Sequence, residues 1–147
     1  MTKIVENGAI NLDLIDSKTL KERAKRIQEE FDSLSDDIPH QISRKQRLQA
    51  ELLQIFGKFY ADASHDYWVA ESILELEKSK VKLETEGTGI VKEATAKIAT
   101  HELELAMIDK KRDMKRWQNA VDTTSKLIDS IKREESVLIM EYYNTGK

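Results

Sequence analysis

The chain has 147 residues, which is enough for one ordinary domain. It contains no cysteine, and this excludes disulfides and thiolate metal sites. The net charge of −3 gives no overall electrostatic attraction to nucleic acid. Any such binding must therefore come from a local basic patch.

The composition indicates long amphipathic helices. Hydrophobic residues make up 39% of the chain and charged residues 35%, a mixture too charged for a thick core and too apolar for disorder. Chains of this kind often complete their core by oligomerising. No run reaches the roughly 18 apolar residues of a membrane span, so we expect no membrane partner. The lack of cysteine fits a cytoplasmic location.

The first part of the chain predicts an arm followed by a short helix. Residues 1–16 are expected to form an irregular N-terminal arm, and residues 17–147 a single helical domain. Asp16 or Ser17 suits the N-cap of the first helix. Its apolar residues recur every three or four positions from Leu20 to Leu34, which predicts one buried face. Pro39 ends the helix, because proline disfavours helical geometry in the residue before it.

Two long helices are predicted after Pro39. The second helix starts near residues 41–43 and runs to Leu83. The glycines of residues 86–89 predict a turn. A third helix then extends from Val91 to Tyr142. Its predicted core stripe consists of Ala94, Ile98, Leu105, Ile108, Met114, Trp117, Val121, Ile128, Ile131 and Leu138. Since a short turn makes its two helices antiparallel neighbours, the expected fold is all-α, a long antiparallel helical hairpin with a shorter N-terminal helix, assembling into a homo-oligomer.

Catalytic patterns are scarce in this sequence. The pair His101 and Glu102 resembles the start of a zinc-protease helix, but Leu105 stands where the second ligand is needed. Asp62 and His65 could form half of a metal site on one helix face, and no second pair completes it. We therefore expect no enzymatic activity, no cofactor and no metal.

Residues 109–116 contain five cations and two anions and are followed directly by Trp117. Cations beside an aromatic ring suit single-stranded nucleic acid, because they neutralise phosphates while the ring can stack on bases. The alternative is a solvated helix face with Trp117 in the core. Spacing alone favours that alternative, since Trp117 lies on the predicted apolar stripe.

Three other groups of residues suggest partners less directly. Residues 44–47 place cations at a helix N-terminus, against the helix dipole, which hints at an external anionic partner. The mixed charges of residues 18–26 could form ion pairs between subunits. Tyr60 and Trp68 fall off the core stripe, and we favour a subunit seam for them over base stacking.

Three segments carry a resemblance to a known family. The third helix contains, in order, Trp117, Asp122, Ser125, Ile128, Asp129, Ile131 and Lys132. Residues 15–20 have the order Ile-Asp-Ser-Lys-Thr-Leu, and Phe59 and Tyr60 form an aromatic pair. In these segments the sequence resembles the UvsY recombination mediators of T4-type phages, most specifically in the third helix. The similarity of order and length covers nearly the whole chain.

The resemblance implies a function and a set of partners. UvsY-like proteins form ring-like homo-oligomers that bind single-stranded DNA, displace the single-strand-binding protein and load a RecA-like recombinase. It also implies a bacterial host cytoplasm as the location. The expected phosphate contacts are Lys58, Lys110, Lys111, Arg112, Lys115 and Arg116. We assign Phe59 and Trp117 to packing. The alternative function is a coiled-coil scaffold or adaptor without nucleic-acid binding.

Overall fold

The structure, a computed structural model, describes residues 5–6, 9–10 and 15–146. Within them, four helices account for most of the chain, and the prediction of an all-α fold is confirmed in this respect. The helices are α1 (Ser17–Ser33), α2 (Pro39–Glu84), α3 (Gly89–Ala99) and α4 (His101–Thr145). None of these described helices combines the length and apolarity that a membrane crossing requires.

The N-terminal arm contains a short strand pair. Strands β1 (Val5–Glu6) and β2 (Ala9–Ile10) are antiparallel, with Val5 opposite Ile10. The arm was predicted to be irregular, and these two strands depart from that expectation. The remainder of the predicted arm up to residue 14 lies outside the described residues.

Helix α1 begins as its sequence predicts. The Asp16 side chain accepts a hydrogen bond of 2.7 Å from the backbone N–H of Thr19, which confirms Asp16 as the N-cap. This bond stabilises the carboxylate and lowers the pKa of Asp16 below its ordinary value. Helix α1 ends at Ser33, and Pro39 is the first residue of α2. The predicted start near residues 41–43 was therefore slightly late, because proline suits the first helical position, where no N–H partner is needed.

The loop at residues 85–88 separates α2 from α3. Gly87 has φ of +126°, a conformation that favours glycine. The Thr88 hydroxyl then accepts a hydrogen bond from the Val91 N–H and caps α3. The predicted turn is thus present, although Gly89 already belongs to the helix.

The predicted third helix is divided in two at Thr100. The Thr100 hydroxyl donates a 2.7 Å hydrogen bond to the Ala96 carbonyl, the same acceptor that its backbone N–H uses at 3.0 Å. Threonines bonded back in this way often bend helices. The Glu104 N–H still bonds the Thr100 carbonyl, at 3.0 Å, so the four-residue hydrogen bonding continues into α4.

The chain divides into two compact units. Unit 1 comprises Met1–Lys58 and Asn119–Lys147, and unit 2 comprises Phe59–Gln118. Helices α2 and α4 run through both, so a single domain over residues 17–147 stays a prediction. The core of unit 1 takes apolar side chains from three helices: Leu20, Ile27, Ile42, Leu48, Leu52, Ile55, Ile128 and Ile131.

Unit 2 buries fewer side chains than the sequence predicts. Its buried side chains are Phe59, Ala63, Leu74, Ala96 and Thr100. The first part of the predicted third-helix stripe was wrong: Ala94, Ile98, Leu105 and Ile108 are exposed. The helix buries Ala96 and Thr100 instead, small residues two positions out of phase with Ile98. Sequence periodicity favoured the larger apolar residues, but they lie on the opposite face.

Candidate nucleic-acid interface

The cations of residues 44–47, in unit 1, make contacts within the chain. Arg44 donates two hydrogen bonds to the Glu30 carboxylate, at 2.8 and 3.2 Å. This pairing lowers the pKa of Glu30 and raises that of Arg44. The neighbouring Arg47 is exposed. Arg44 therefore stabilises the contact between α1 and α2, and the hint of an external anionic partner is weakened.

Lys45 is the most buried of these cations. Its ammonium group lies 2.6 Å from an Asp36 carboxylate oxygen and 4.8 Å from the centre of the Phe31 ring. The Lys45 side chain is 11% exposed, which leaves little room for an external phosphate. Its charge is compensated by a carboxylate and an aromatic face of its own unit.

The cations of residues 111–116, in unit 2, have a different environment. Lys111, Arg112, Lys115 and Arg116 are exposed on adjoining turns of α4. Lys115 follows Lys111 by four residues and Arg112 by three, and Arg116 follows Arg112 by four, so the four side chains form one contiguous surface. We call these four residues the basic patch. Among the described residues, three of them have no ion-pair partner, and Arg112 makes one exposed contact of 3.6 Å with Asp109.

A second group of exposed cations lies on α1. Residues 18–26 contain five cations and the single acid Glu22. Arg23 bonds Glu51, whereas Lys21 and Lys25 have no ion-pair partner among the described residues. Within one turn on its own helix, the basic patch is bordered by Asp109 and Asp113. Of these two cation-rich surfaces, the basic patch is the one that contains predicted phosphate contacts.

The two remaining predicted contacts are not among the four residues of the basic patch. Lys110 is exposed and directly precedes Lys111, so it borders the patch. Lys58 is half-buried and has an interaction partner within the chain. Five of the six predicted phosphate contacts thus lie exposed on α4.

Trp117 packs against Phe59. Their ring centres are 4.7 Å apart, and the rings are tilted by 47°. Phe59 is buried and Trp117 half-buried, so the contact belongs to the core of unit 2 and the assignment of both rings to packing is confirmed. Because Trp117 packs on Phe59 in this way, part of its ring is covered and not available for a base to stack on. The chemistry of the patch is that of phosphate neutralisation.

The helices of unit 2 also expose apolar rows at a spacing of seven residues. On α2, this row consists of Val69, Leu76 and Leu83. On α3 and α4, Val91, Ile98 and Leu105 form a similar row, although the last two were predicted in the core. The seven-residue spacing in the sequence could have predicted these surfaces. In a hairpin each helix packs on one neighbour, so a second apolar row on the same helix is left exposed.

No metal site accompanies these surfaces within the described residues, where no cluster of three histidines or carboxylates could hold an ion. Comparison with protein-family models, with curated proteins and with solved structures gives no match.

Proposed function

We propose that this protein binds single-stranded DNA as a homo-oligomer and acts as a recombination mediator. In this role it helps to load a RecA-like recombinase onto DNA covered by single-strand-binding protein, in the cytoplasm of a bacterial host. The observation that carries the proposal is the basic patch. Its four exposed cations lie together on adjoining turns of α4, and three of them lack an acidic partner among the described residues.

The proposed mechanism is electrostatic and mechanical. Each cation that neutralises a phosphate releases a condensed counterion, which favours binding at low salt without regard to sequence. One patch of four cations is a weak site by itself. Several patches engaged on one strand raise the avidity, so the proposal requires an oligomer.

The proposed architecture is an antiparallel helical hairpin that assembles into a ring. The short loop at residues 85–88 and the contact between Phe59 and Trp117 support the hairpin. A closed ring of more than two subunits needs two contact surfaces per chain, which either meet each other head to tail or each form a two-fold contact with the same surface of a neighbour. The exposed row on α2 and the exposed row on α3 and α4 are candidates for these two surfaces.

A coiled-coil scaffold without nucleic-acid binding is the second candidate function. The exposed apolar rows favour it, because heptad-spaced apolar residues are the usual means by which helices associate. It differs from the first proposal in giving the basic patch no role.

The first test is the anisotropy of a fluorescein-labelled oligo-dT titrated with the protein at about 50 mM and about 200 mM salt. The mediator proposal expects binding that weakens steeply at the higher salt and is stronger for single strands than for duplex. Absence of binding at low salt by an assembled oligomer would leave the scaffold as the better proposal.

A charge reversal tests the site itself. The variant Lys111→Glu/Arg112→Glu is expected to abolish oligo-dT binding, while circular dichroism and sedimentation show unchanged helicity and assembly. The matched control is Lys80→Glu/Lys82→Glu, which changes the net charge equally on helix α2. Equal loss in both variants would indicate a general charge effect, and unaltered binding in the first would exclude the basic patch as the site.

A further inference from the structure

Helices α3 and α4 carry an apolar row on the face opposite their buried residues. The row consists of five apolar residues with one histidine among them, at alternating spacings of three and four: Val91, Ala94, Ile98, His101, Leu105 and Ile108. All six are exposed, and Ile98 is 79% exposed although it lies in the middle of the row. Contiguous exposed apolar surface of this kind marks a contact site.

The row continues in sequence across Thr100, the boundary between the two helices. The Thr100 N–H bonds the Ala96 carbonyl and the Glu104 N–H bonds the Thr100 carbonyl, so both helices keep a four-residue bond to Thr100. The φ of −106° and ψ of 13° at Thr100 mark a local departure from the helix. Ala96 and Thr100 are buried on the inner face. The outer row therefore has the spacing of the a and d positions of a coiled coil. No other residues of unit 2 cover it.

We propose that a second copy of this chain packs antiparallel on this row, related by a two-fold axis that passes between residues 99 and 100. In this register Val91 faces the partner's Ile108 and Ala94 faces the partner's Leu105. Ile98 faces the partner's His101 at the centre. Each contact occurs twice, as a two-fold interface requires. The pair rests on the proposed oligomer for its biological role, but it concerns assembly alone.

Charge selects this register and favours an identical partner. Lys97 and Glu104 occupy the flanking positions that meet across an antiparallel seam, so Lys97 faces the partner's Glu104, and the reciprocal pair forms as well. If the partner chain is shifted by one heptad in one direction, Lys97 lies opposite the partner's Lys97. If it is shifted in the other direction, Glu104 lies opposite the partner's Glu104 and Lys97 lies opposite the partner's Lys111. Only the central register avoids these like-charge contacts.

The pair leaves three of the four residues of the basic patch beyond its seam. The last apolar layer joins Ile108 to the partner's Val91, and Arg112 follows Ile108 by four residues on the same helix face. Arg112, Lys115 and Arg116 therefore lie past the end of the seam. A pair presents one basic patch at each end, and the exposed row on α2 remains available to join pairs into a larger assembly.

Cysteine cross-linking tests the register. The chain has no cysteine, so Ala94→Cys and Leu105→Cys each introduce a single thiol. Within one chain these positions are about 16 Å apart along the helix and cannot form a disulfide. An oxidised mixture of the two variants is expected to give a covalent dimer, whereas each variant alone is not. A mixture of Ala94→Cys with Ile98→Cys is the control, because only a register shifted by one heptad joins these two positions.

Charge exchange tests the selection of the register. Lys97→Glu and Glu104→Lys each create two like-charge contacts and are expected to weaken association roughly tenfold. The double variant Lys97→Glu/Glu104→Lys restores opposite charges and is expected to recover it, as measured by sedimentation equilibrium without DNA. Association unchanged in both single variants, together with no cross-link between positions 94 and 105, would overturn the pair.

The outcomes for assembly and for DNA are separable. A monomeric protein overturns the pair even if oligo-dT binds. A protein that pairs in the expected register but does not bind oligo-dT overturns the proposed function and leaves the pair standing.

Discussion

Residues 44–47 and residues 111–116 are both short runs of cations on long helices, yet their side chains have different partners. In unit 1, Arg44 and Lys45 bond Glu30 and Asp36. In unit 2, Lys111 and Lys115 have no acidic partner among the described residues. The difference shows that a run of cations can be part of the fold or available for a ligand, and that only the position of distant carboxylates decides between the two.

The largest expected effect is on the free energy of unfolding, and a lysine-to-glutamate substitution in each unit distinguishes the two roles. Lys45→Glu places a carboxylate in a nearly buried position beside Asp36 and is expected to lower the free energy of unfolding by about 3 kcal/mol. The Lys115 side chain is exposed, so Lys115→Glu is expected to change the free energy of unfolding by less than about 0.5 kcal/mol while weakening oligo-dT binding. Urea unfolding and anisotropy measure the two effects. Equal destabilisation by both substitutions would contradict the comparison.

A smaller loss of stability is expected when the Trp117 ring, beside the basic patch, is removed. Trp117→Ala removes the contact with Phe59 and is expected to cost about 2 kcal/mol, below the usual range for a buried tryptophan because the ring is half-buried. Trp117→Phe retains an apolar ring and is expected to leave oligo-dT affinity within about twofold. A selective loss of DNA binding in Trp117→Phe, with stability retained, would instead assign the ring to base stacking.

A single neutralisation in the basic patch is expected to change the salt dependence of binding. Lys111→Gln removes one phosphate contact and should reduce the slope of log K against log salt by about 0.7 for a single strand. Arg47→Gln, an exposed cation of unit 1, is the matched control and should leave the slope unchanged. Anisotropy titrations over a series of salt concentrations measure both, and equal slopes for the two variants would place the contact elsewhere.

The smallest expected effect is the pH dependence of the paired cluster. Arg44 lowers the pKa of Glu30, so their contact stabilises the protein above the pKa that glutamate has in the unfolded chain. This contribution is lost as the pH falls through the lowered value. The difference in unfolding free energy between the native protein and Glu30→Gln should therefore be largest near neutral pH and disappear in acid. A difference that is independent of pH would show that the ion pair does not contribute.

The helices of unit 1 were predictable from local sequence. Asp16 acts on its own backbone within one turn, and its role at the start of α1 follows from side-chain chemistry. Pro39 was expected only to end α1, although proline also suits the first position of α2. The apolar residues Leu20, Leu48 and Ile128 belong to one periodic face on each helix, and each of these residues is buried.

Unit 2 was less predictable because two faces of the same helix are apolar. The sequence shows two periodic series from Val91 onward, and the larger residues Ile98 and Leu105 favoured the wrong one. The structure buries Ala96 and Thr100 instead. Small residues allow close packing of two helices, and periodicity weighted by hydrophobicity underestimates them.

The sequence by itself determined the helical character of the chain, the cap at Asp16 and the turn at Gly87, because each depends on residues within a few positions of one another. It also identified the cations of the candidate interface. Only the tertiary structure decided which cations have partners and which apolar row is buried. Both depend on side chains far apart in sequence, such as Lys45 with Phe31 or Phe59 with Trp117, and no local pattern specifies their distances.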